Sequence, residues 1–240
     1  MQDNIYTRIS RIEERIEAAC RRSGRKRDEI RLMAVTKFHD AGAIEEAWKA
    51  GIRLFGESRV QEGINKFKRF WEHNPKEEGT ELHLIGSLQR NKAKKAAEFF
   101  DCIQSVDRDS LIDELGVLTA EREYPLMILL EYHTGEASKA GYAGRDSLFR
   151  AAEKLLSFQG LRPAGLMTMA PFSSDAELIR SSFRELAAAR AELEKRFPPN
   201  GLFAGWPCLS MGMTNDFEIA IEEGSTLIRI GTAIFGDRVI

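Results

Sequence analysis

The sequence holds only three cysteines, Cys20, Cys102 and Cys208, odd in number and far apart. That excludes a disulfide framework and a CxxC metal or redox pair, so the thiols are expected to be reduced and buried. No apolar run reaches the roughly 18 residues of a membrane span. The densest, Pro125 to Leu130, has the length of a strand. The N-terminus alternates charge through Asp3, Arg8, Arg11, Glu13 and Glu14 with no apolar signal core, which predicts a cytoplasmic protein. Neither sign of charge dominates. The 35 Lys and Arg against 37 Asp and Glu leave −2, which excludes a global basic field for nucleic acid or an anionic membrane. Missing too are a Pro/Ser-rich linker, a low-complexity tract, a GxGxxG fingerprint and a Walker loop. The histidines His39, His73, His83 and His133 show no metal-ligand spacing, so no metal is expected.

What is present is a chain of 240 residues, 43% hydrophobic and 30% charged, enough to bury a core and cover it with charge. Ile5, Ile9, Ile12, Ile16 and Ala19 recur at helical spacing until Gly24. Thereafter short apolar runs alternate with helical stretches. Ile30 to Val35 precedes a helix over 43–50, Arg53 to Phe55 one over 60–71, and Leu82 to Ile85 one over 92–100. Cys102 to Val106 precedes a helix opened by Asp109, and Leu126 to Glu131 leads through a glycine-bearing loop to a helix over 146–158. Pro163 to Met167 precedes a long helix, 175–197, ended by Pro198-Pro199. Cys208 to Ser210 is followed by a helix over 216–223, and Ser225 to Ile230 by the turn Gly231-Thr232-Ala233 into a last helical segment. Eight strand-helix units predict an α/β fold, a single (β/α)₈ barrel over 1–240 with an additional N-terminal helix. The rival, an open doubly wound sheet, normally uses fewer strands and an early phosphate loop.

In such a barrel the chemistry sits at the C-terminal ends of the strands. Lys37 closes the first strand in Ala34-Val35-Thr36-Lys37 and is a candidate amine nucleophile. At the ordinary lysine pKa only about one amine in 2,500 is neutral at pH 7, so a Schiff-base role needs desolvation or nearby positive charge. A surface or salt-bridged lysine is the alternative, and position alone leaves both open. The loops after strands seven and eight, Leu209 to Met213 and Ile230 to Ala233, are where barrels build phosphate sites. Gly231 lets the backbone approach an anion, Ser210 and Thr232 offer hydroxyls, and N–H groups open the last helix. Ordinary turn chemistry explains either loop singly; their pairing points to phosphate. Arg229, between Ile228 and Ile230, points opposite to both, into the barrel toward a ligand or outward to a surface ion pair. His83 reads as a hydrogen-bonded core residue. The cluster Arg90, Lys92, Lys94 and Lys95 lacks interleaved aromatics and reads as a solvated helix face.

The stretches AVTK at 34–37, FGES at 55–58, HLIGSLQRNK at 83–92, SVD at 105–107, GLMTMAP at 165–171, LSMGMTNDFEIAIEEGST at 209–226 and RIGTAIFG at 229–236 carry a resemblance that runs nearly end to end. They resemble the pyridoxal phosphate homeostasis protein family, whose barrel is similar to the N-terminal domain of alanine racemase. The resemblance implies pyridoxal 5′-phosphate as a covalent aldimine at Lys37, its phosphate on Ser210 and the Gly231-Thr232 turn, and Arg229 at the pyridine nitrogen. Ser58 departs from the asparagine that the family commonly has there, which puts a contact from that amide in doubt. An arginine at the ring nitrogen opposes its protonation and leaves a weaker sink for a carbanion. The additional β domain that gives alanine racemase its opposite-face base is expected to be missing, since the eighth unit runs almost to Ile240.

The expectation is therefore a binding protein with no catalytic residues, which keeps free pyridoxal phosphate low and carries it to apo forms of pyridoxal phosphate enzymes. A monomer is expected, with no nucleic-acid or membrane partner, and surface lysines such as Lys139 are possible second cofactor sites. The alternatives are a pyridoxal phosphate-dependent amino-acid racemase and, further off, a Schiff-base aldolase acting on a sugar phosphate.

Overall fold

The computed structural model describes residues 4–135, 140–199 and 204–236, so Lys139 lies outside the described residues. Helix α1, Ile5–Ser23, begins where the Asn4 side chain accepts from the Thr7 N–H and ends at Gly24, whose φ of 67° is left-handed. It buries Ile9, Ile12, Ile16, Ala19 and Cys20, the face that its periodicity marks, against the last two helices of the chain. Arg15 clamps Glu218 through two 2.9 Å hydrogen bonds, and Arg22 reaches Glu222, which fixes α1 across that end of the molecule.

Eight parallel strands follow: β1 Arg31–Val35, β2 Leu54–Glu57, β3 Glu81–Leu84, β4 Cys102–Val106, β5 Leu126–His133, β6 Leu161–Met167, β7 Cys208–Ser210 and β8 Leu227–Ile230. Neighbours in sequence are neighbours in space, β8 pairs β1, and the β4–β5 ladder completes the ring, so the sheet is the closed (β/α)₈ barrel. Between the strands run α2 Ala41–Lys49, α3 Val60–His73, α4 Ala93–Phe99, α5 Asp109–Leu118, α6 Arg145–Leu156, α7 Ala176–Arg196 and α8 Phe217–Glu222, with α9 Thr232–Phe235 after β8. Among the described residues no helix is long and apolar enough to cross a membrane.

Where element ends move, local chemistry moves them. Helix α2 starts at Ala41, two residues before the expected 43, because the Asp40 carboxylate accepts from the Ala43 N–H at 3.0 Å. Strand β6 starts at Leu161, upstream of Pro163, because the pairing with β5 shifts register there: Ile128 faces Pro163, Leu129 faces Gly165, and Ala164 is skipped. At Gly165 a Cβ would lie 1.9 Å from the Cys208 carbonyl oxygen, so only glycine lets β6 and β7 approach. Strand β5 outlasts its predicted end at Glu131 because Tyr132 and His133 pair with a two-residue strand, Tyr142–Ala143, inside the expected loop.

The large apolar core lies between helices and barrel wall, with Trp206, Phe55, Phe67, Phe100 and Phe183 fully enclosed. Inside the barrel there are two small apolar clusters, Met33, Leu54 and Leu227 in one and Cys102, Leu129 and Met167 in the other. Polar residues fill the rest. Cys20 and Cys102 are buried as expected, whereas Cys208 is only half-buried; all three thiols are free. Burial pushes the Cys208 thiol up to about 11, which keeps it protonated and inert.

Candidate functional site

A cavity of about 430 Å³ opens at the C-terminal end of the barrel, a volume in the range of small-molecule sites. Lys37, Arg229, Gly231 and Thr232, four of the five candidate residues, line it together with Ser58 and an apolar wall that includes Ile85 and Met167.

Lys37 occupies the second position of a turn closed by the His39 N–H donating to the Thr36 carbonyl at 3.1 Å. Phe38, in the third position, has φ 68°, the single non-glycine residue with positive φ among those described. Such a conformation costs about 1–3 kcal/mol and persists only where the surroundings impose it. Here they do. The Phe38 N–H donates to Glu62 Oε1 at 2.9 Å, and Lys66 Nζ donates to the Thr36 carbonyl at 2.7 Å, to Glu57 Oε1 at 2.7 Å and to Glu62 Oε1 at 3.3 Å. Glu57 is fully buried at the end of β2, where Oε1 also accepts from the Thr36 hydroxyl at 2.6 Å and Oε2 has no partner. Burial raises the Glu57 carboxyl above its ordinary pKa, against the opposing pull of Lys66 and Thr36. These groups grip the turn from behind, while the Lys37 amine itself makes no hydrogen bond or ion pair among the described residues. Among the described residues the salt-bridged reading of Lys37 has no partner.

Arg229 points into the barrel, 4% exposed, so the outward ion-pair reading falls. Its Nη2 donates to the Thr168 carbonyl at 2.8 Å and its Nη1 to Ser210 Oγ at 2.7 Å. After β8 the Gly231 carbonyl accepts from the Ile234 and Phe235 N–H groups, so the first N–H groups of α9 have no intrahelical acceptor.

Ser210 parts from the other candidates. Its hydroxyl is fully buried, donates to Gln104 Oε1 at 2.6 Å and accepts from Arg229, and it does not line the cavity. The structure therefore does not bring the Ser210 hydroxyl to the cavity with the other candidates: its one proton and one lone pair are already committed inside the barrel. The loop after β7 instead turns Thr214 and Asn215 to the cavity, residues that the sequence reading passed over. Sequence reasoning also missed Glu57, Glu62 and Lys66, which act at a distance along the chain, and the buried Glu131 in the C-terminal half of β5. A lone carboxylate inside the apolar run of β5 was the available signal for Glu131.

Glu131 is 4% exposed. Burial first, then the Asp107 carboxylate, push its carboxyl up to about 7, against the opposing pull of Arg229 and His133. With a folded value of about 7 and an unfolded one of about 4.3, the folded state binds this proton more tightly. Its contribution to stability is complete below about pH 4 and lost as the pH rises through about 7, on the order of 3 kcal/mol. Glu131→Gln is expected to remove that decline, which urea midpoints at about pH 5 and pH 8 measure; parallel pH profiles for the two proteins would contradict it.

His83 is a buried, hydrogen-bonded strand residue, and Arg90, Lys94 and Lys95 are exposed while Lys92 is half-buried. Among the described residues no group of three or more His, Cys, Asp and Glu side chains is placed to hold a metal ion.

The closed barrel, with a lysine after β1 and a Gly-Thr turn after β8, places the chain among the alanine racemase-like barrels. The family described as alanine racemase, N-terminal domain, matches residues 8–239. The pyridoxal phosphate homeostasis protein of Vibrio cholerae serotype O1 is 39% identical over 236 residues, 98% of this chain and 97% of its own length. PipY of Synechococcus elongatus PCC7942, whose structure was solved with pyridoxal phosphate bound, superposes with a TM-score of 0.82 at 34% identity, covering 97% of this chain and all of PipY. Alanine racemase of E. faecalis shares the fold, with a TM-score of 0.68 at 16% identity over 58% of its length. The chain belongs to the pyridoxal phosphate homeostasis protein family.

Proposed function

We propose that this chain binds pyridoxal 5′-phosphate in the mouth cavity as a Schiff base on Lys37 and serves in the cell as a reservoir and carrier for it. The observation that carries the reading is the convergence, in one cavity, of a lysine without a hydrogen-bond or ion-pair partner among the described residues, a buried arginine and the Gly231-Thr232 turn. The fit is chemical as well as spatial. Bound there, pyridoxal phosphate supplies an aldehyde that condenses with an amine and a ring that withdraws electrons. Thr232 and Thr214, with the unclaimed N–H groups at the start of α9, suit its phosphate. Arg229, a donor with no acceptor, faces the ring nitrogen and keeps a proton off it. That makes the site a holder of the cofactor more than an engine for carbanion chemistry. The whole chain is read as one intracellular, monomeric domain that hands its cargo to apo forms of pyridoxal phosphate enzymes.

The racemase alternative is tested by loading the protein and following exchange of the α-hydrogen of L- and D-alanine for deuterium. Exchange no faster than with free pyridoxal phosphate is expected. Stereospecific exchange that disappears in Lys37→Ala would overturn the carrier reading in favour of an enzyme.

A further inference from the structure

A buried polar line crosses the barrel interior beneath the mouth. Arg229 Nη1 donates to Ser210 Oγ at 2.7 Å, and the Ser210 hydroxyl donates to Gln104 Oε1 at 2.6 Å. Gln104 Nε2 lies 2.8 Å from His83 Nδ1, and His83 Nε2 lies 2.7 Å from Glu81 Oε2. Arg229, Ser210, Gln104 and His83 are 4%, 0%, 0% and 2% exposed, so water cannot substitute for any link.

The two ends fix the direction of every bond. A guanidinium only donates, and a carboxylate only accepts. Ser210 must therefore receive from Arg229 and spend its single proton on Gln104. Gln104 must then turn its oxygen to the serine and its NH₂ to the histidine. His83 accepts at Nδ1 and carries its proton at Nε2, toward Glu81. The charge at the far end is secure. Burial opposes ionisation of Glu81, but the hydrogen bond from His83 and the Arg31 guanidinium hold the carboxyl below its ordinary value. Burial in turn lowers His83 against the pull of Glu81, consistent with a neutral imidazole in the single tautomer the line demands.

We propose that Ser210 and Gln104 are positioning residues for Arg229, a directional line anchored at Glu81 that sets the guanidinium at the ring-nitrogen end of the ligand, with no contact to the phosphate. The inference rests on the reading of the mouth as a pyridoxal phosphate site, and it separates two roles for Ser210. A phosphate ligand discriminates between cofactors with and without phosphate, whereas a residue that acts through Arg229 does not.

The test compares pyridoxal phosphate with 5′-deoxypyridoxal, which keeps the ring and aldehyde but has no phosphate. Ser210→Ala and Gln104→Met are each expected to weaken both ligands alike, Ser210→Ala by about tenfold, the loss of one hydrogen bond to a charged group, and Gln104→Met by less, since it reaches Arg229 only through Ser210. Both are expected to move the absorbance maximum of either bound ligand. Thr232→Val is expected to weaken pyridoxal phosphate and spare 5′-deoxypyridoxal. A Ser210→Ala protein that loses pyridoxal phosphate affinity while retaining that for 5′-deoxypyridoxal overturns the proposal, as does one that binds both as the wild type does. A second measurement needs neither ligand nor variant: the ¹⁵N NMR signals of His83 in the ligand-free wild type. A bare Nδ1 with protonated Nε2 is expected, and a protonated Nδ1 breaks the line. Wild type that binds neither compound overturns the cofactor reading instead, and the His83 signals then decide the line.

Discussion

Lys37→Ala is expected to leave the barrel as stable as the wild type and to abolish retention of pyridoxal phosphate through gel filtration. The asymmetry follows from the position of the side chain. Lys37 is half-buried, forms no hydrogen bond or ion pair among the described residues, and sits in a turn whose conformation is imposed by Lys66 and Glu62 from behind. Truncating such a side chain falls within about 0.5 kcal/mol, the usual range for substitutions that break no buried contact. The same truncation removes the only amine placed to condense with the aldehyde among the described residues that line the cavity. Phosphate and ring contacts remain, so weak reversible binding persists while the visible band of the conjugated adduct disappears. Thermal unfolding and absorbance on one sample check both halves.

Lys66→Met is expected to have the largest effect on stability, a loss of about 3–5 kcal/mol, the cost of stranding one member of a buried ion pair. The Lys66 side chain is 8% exposed and that of Glu57 fully buried, 2.7 Å from it. Without the ammonium, Glu57 keeps one bond from the Thr36 hydroxyl and the Thr36 carbonyl loses its side-chain donor. Burial, no longer opposed by the ammonium, then favours the protonated Glu57 carboxyl still further. Because Glu62 also loses Lys66 as a partner, the bond that holds the Phe38 N–H weakens and the Lys37 turn is freed from its strained geometry. The double variant Glu57→Gln with Lys66→Met removes both charges and is expected to recover most of the loss. Urea unfolding of the three variants measures the coupling; a single-variant cost below about 1 kcal/mol would mean that the pair does not bear on the fold.

The alternation of apolar runs with helical spacing made the eight units legible, since each strand of a closed parallel barrel is buried on both faces and each helix on one. The lysine after β1 and the loops after β7 and β8 were legible for the same reason: fold class fixes which strand ends carry chemistry. What stayed hidden depends on contacts that no local pattern encodes. The run at 161–167 looks broken by Pro163 until the register shift against β5 accommodates it. Ser210 sits at a strand end facing a glycine loop, the usual signature of a phosphate donor, and only the arrival of Gln104 from 106 residues away claims its hydroxyl. Lys66 reads as one more charge on an amphipathic helix, yet it is the donor that holds the turn bearing Lys37.

Borohydride reduction of the pyridoxal phosphate-loaded wild type, followed by peptide mass mapping, locates the covalent site. A reduced pyridoxyl group on the peptide that contains Lys37, at one equivalent per chain, is the predicted result. A modification spread over surface lysines, or confined to a peptide without Lys37, would contradict the assignment of the mouth cavity as the cofactor site.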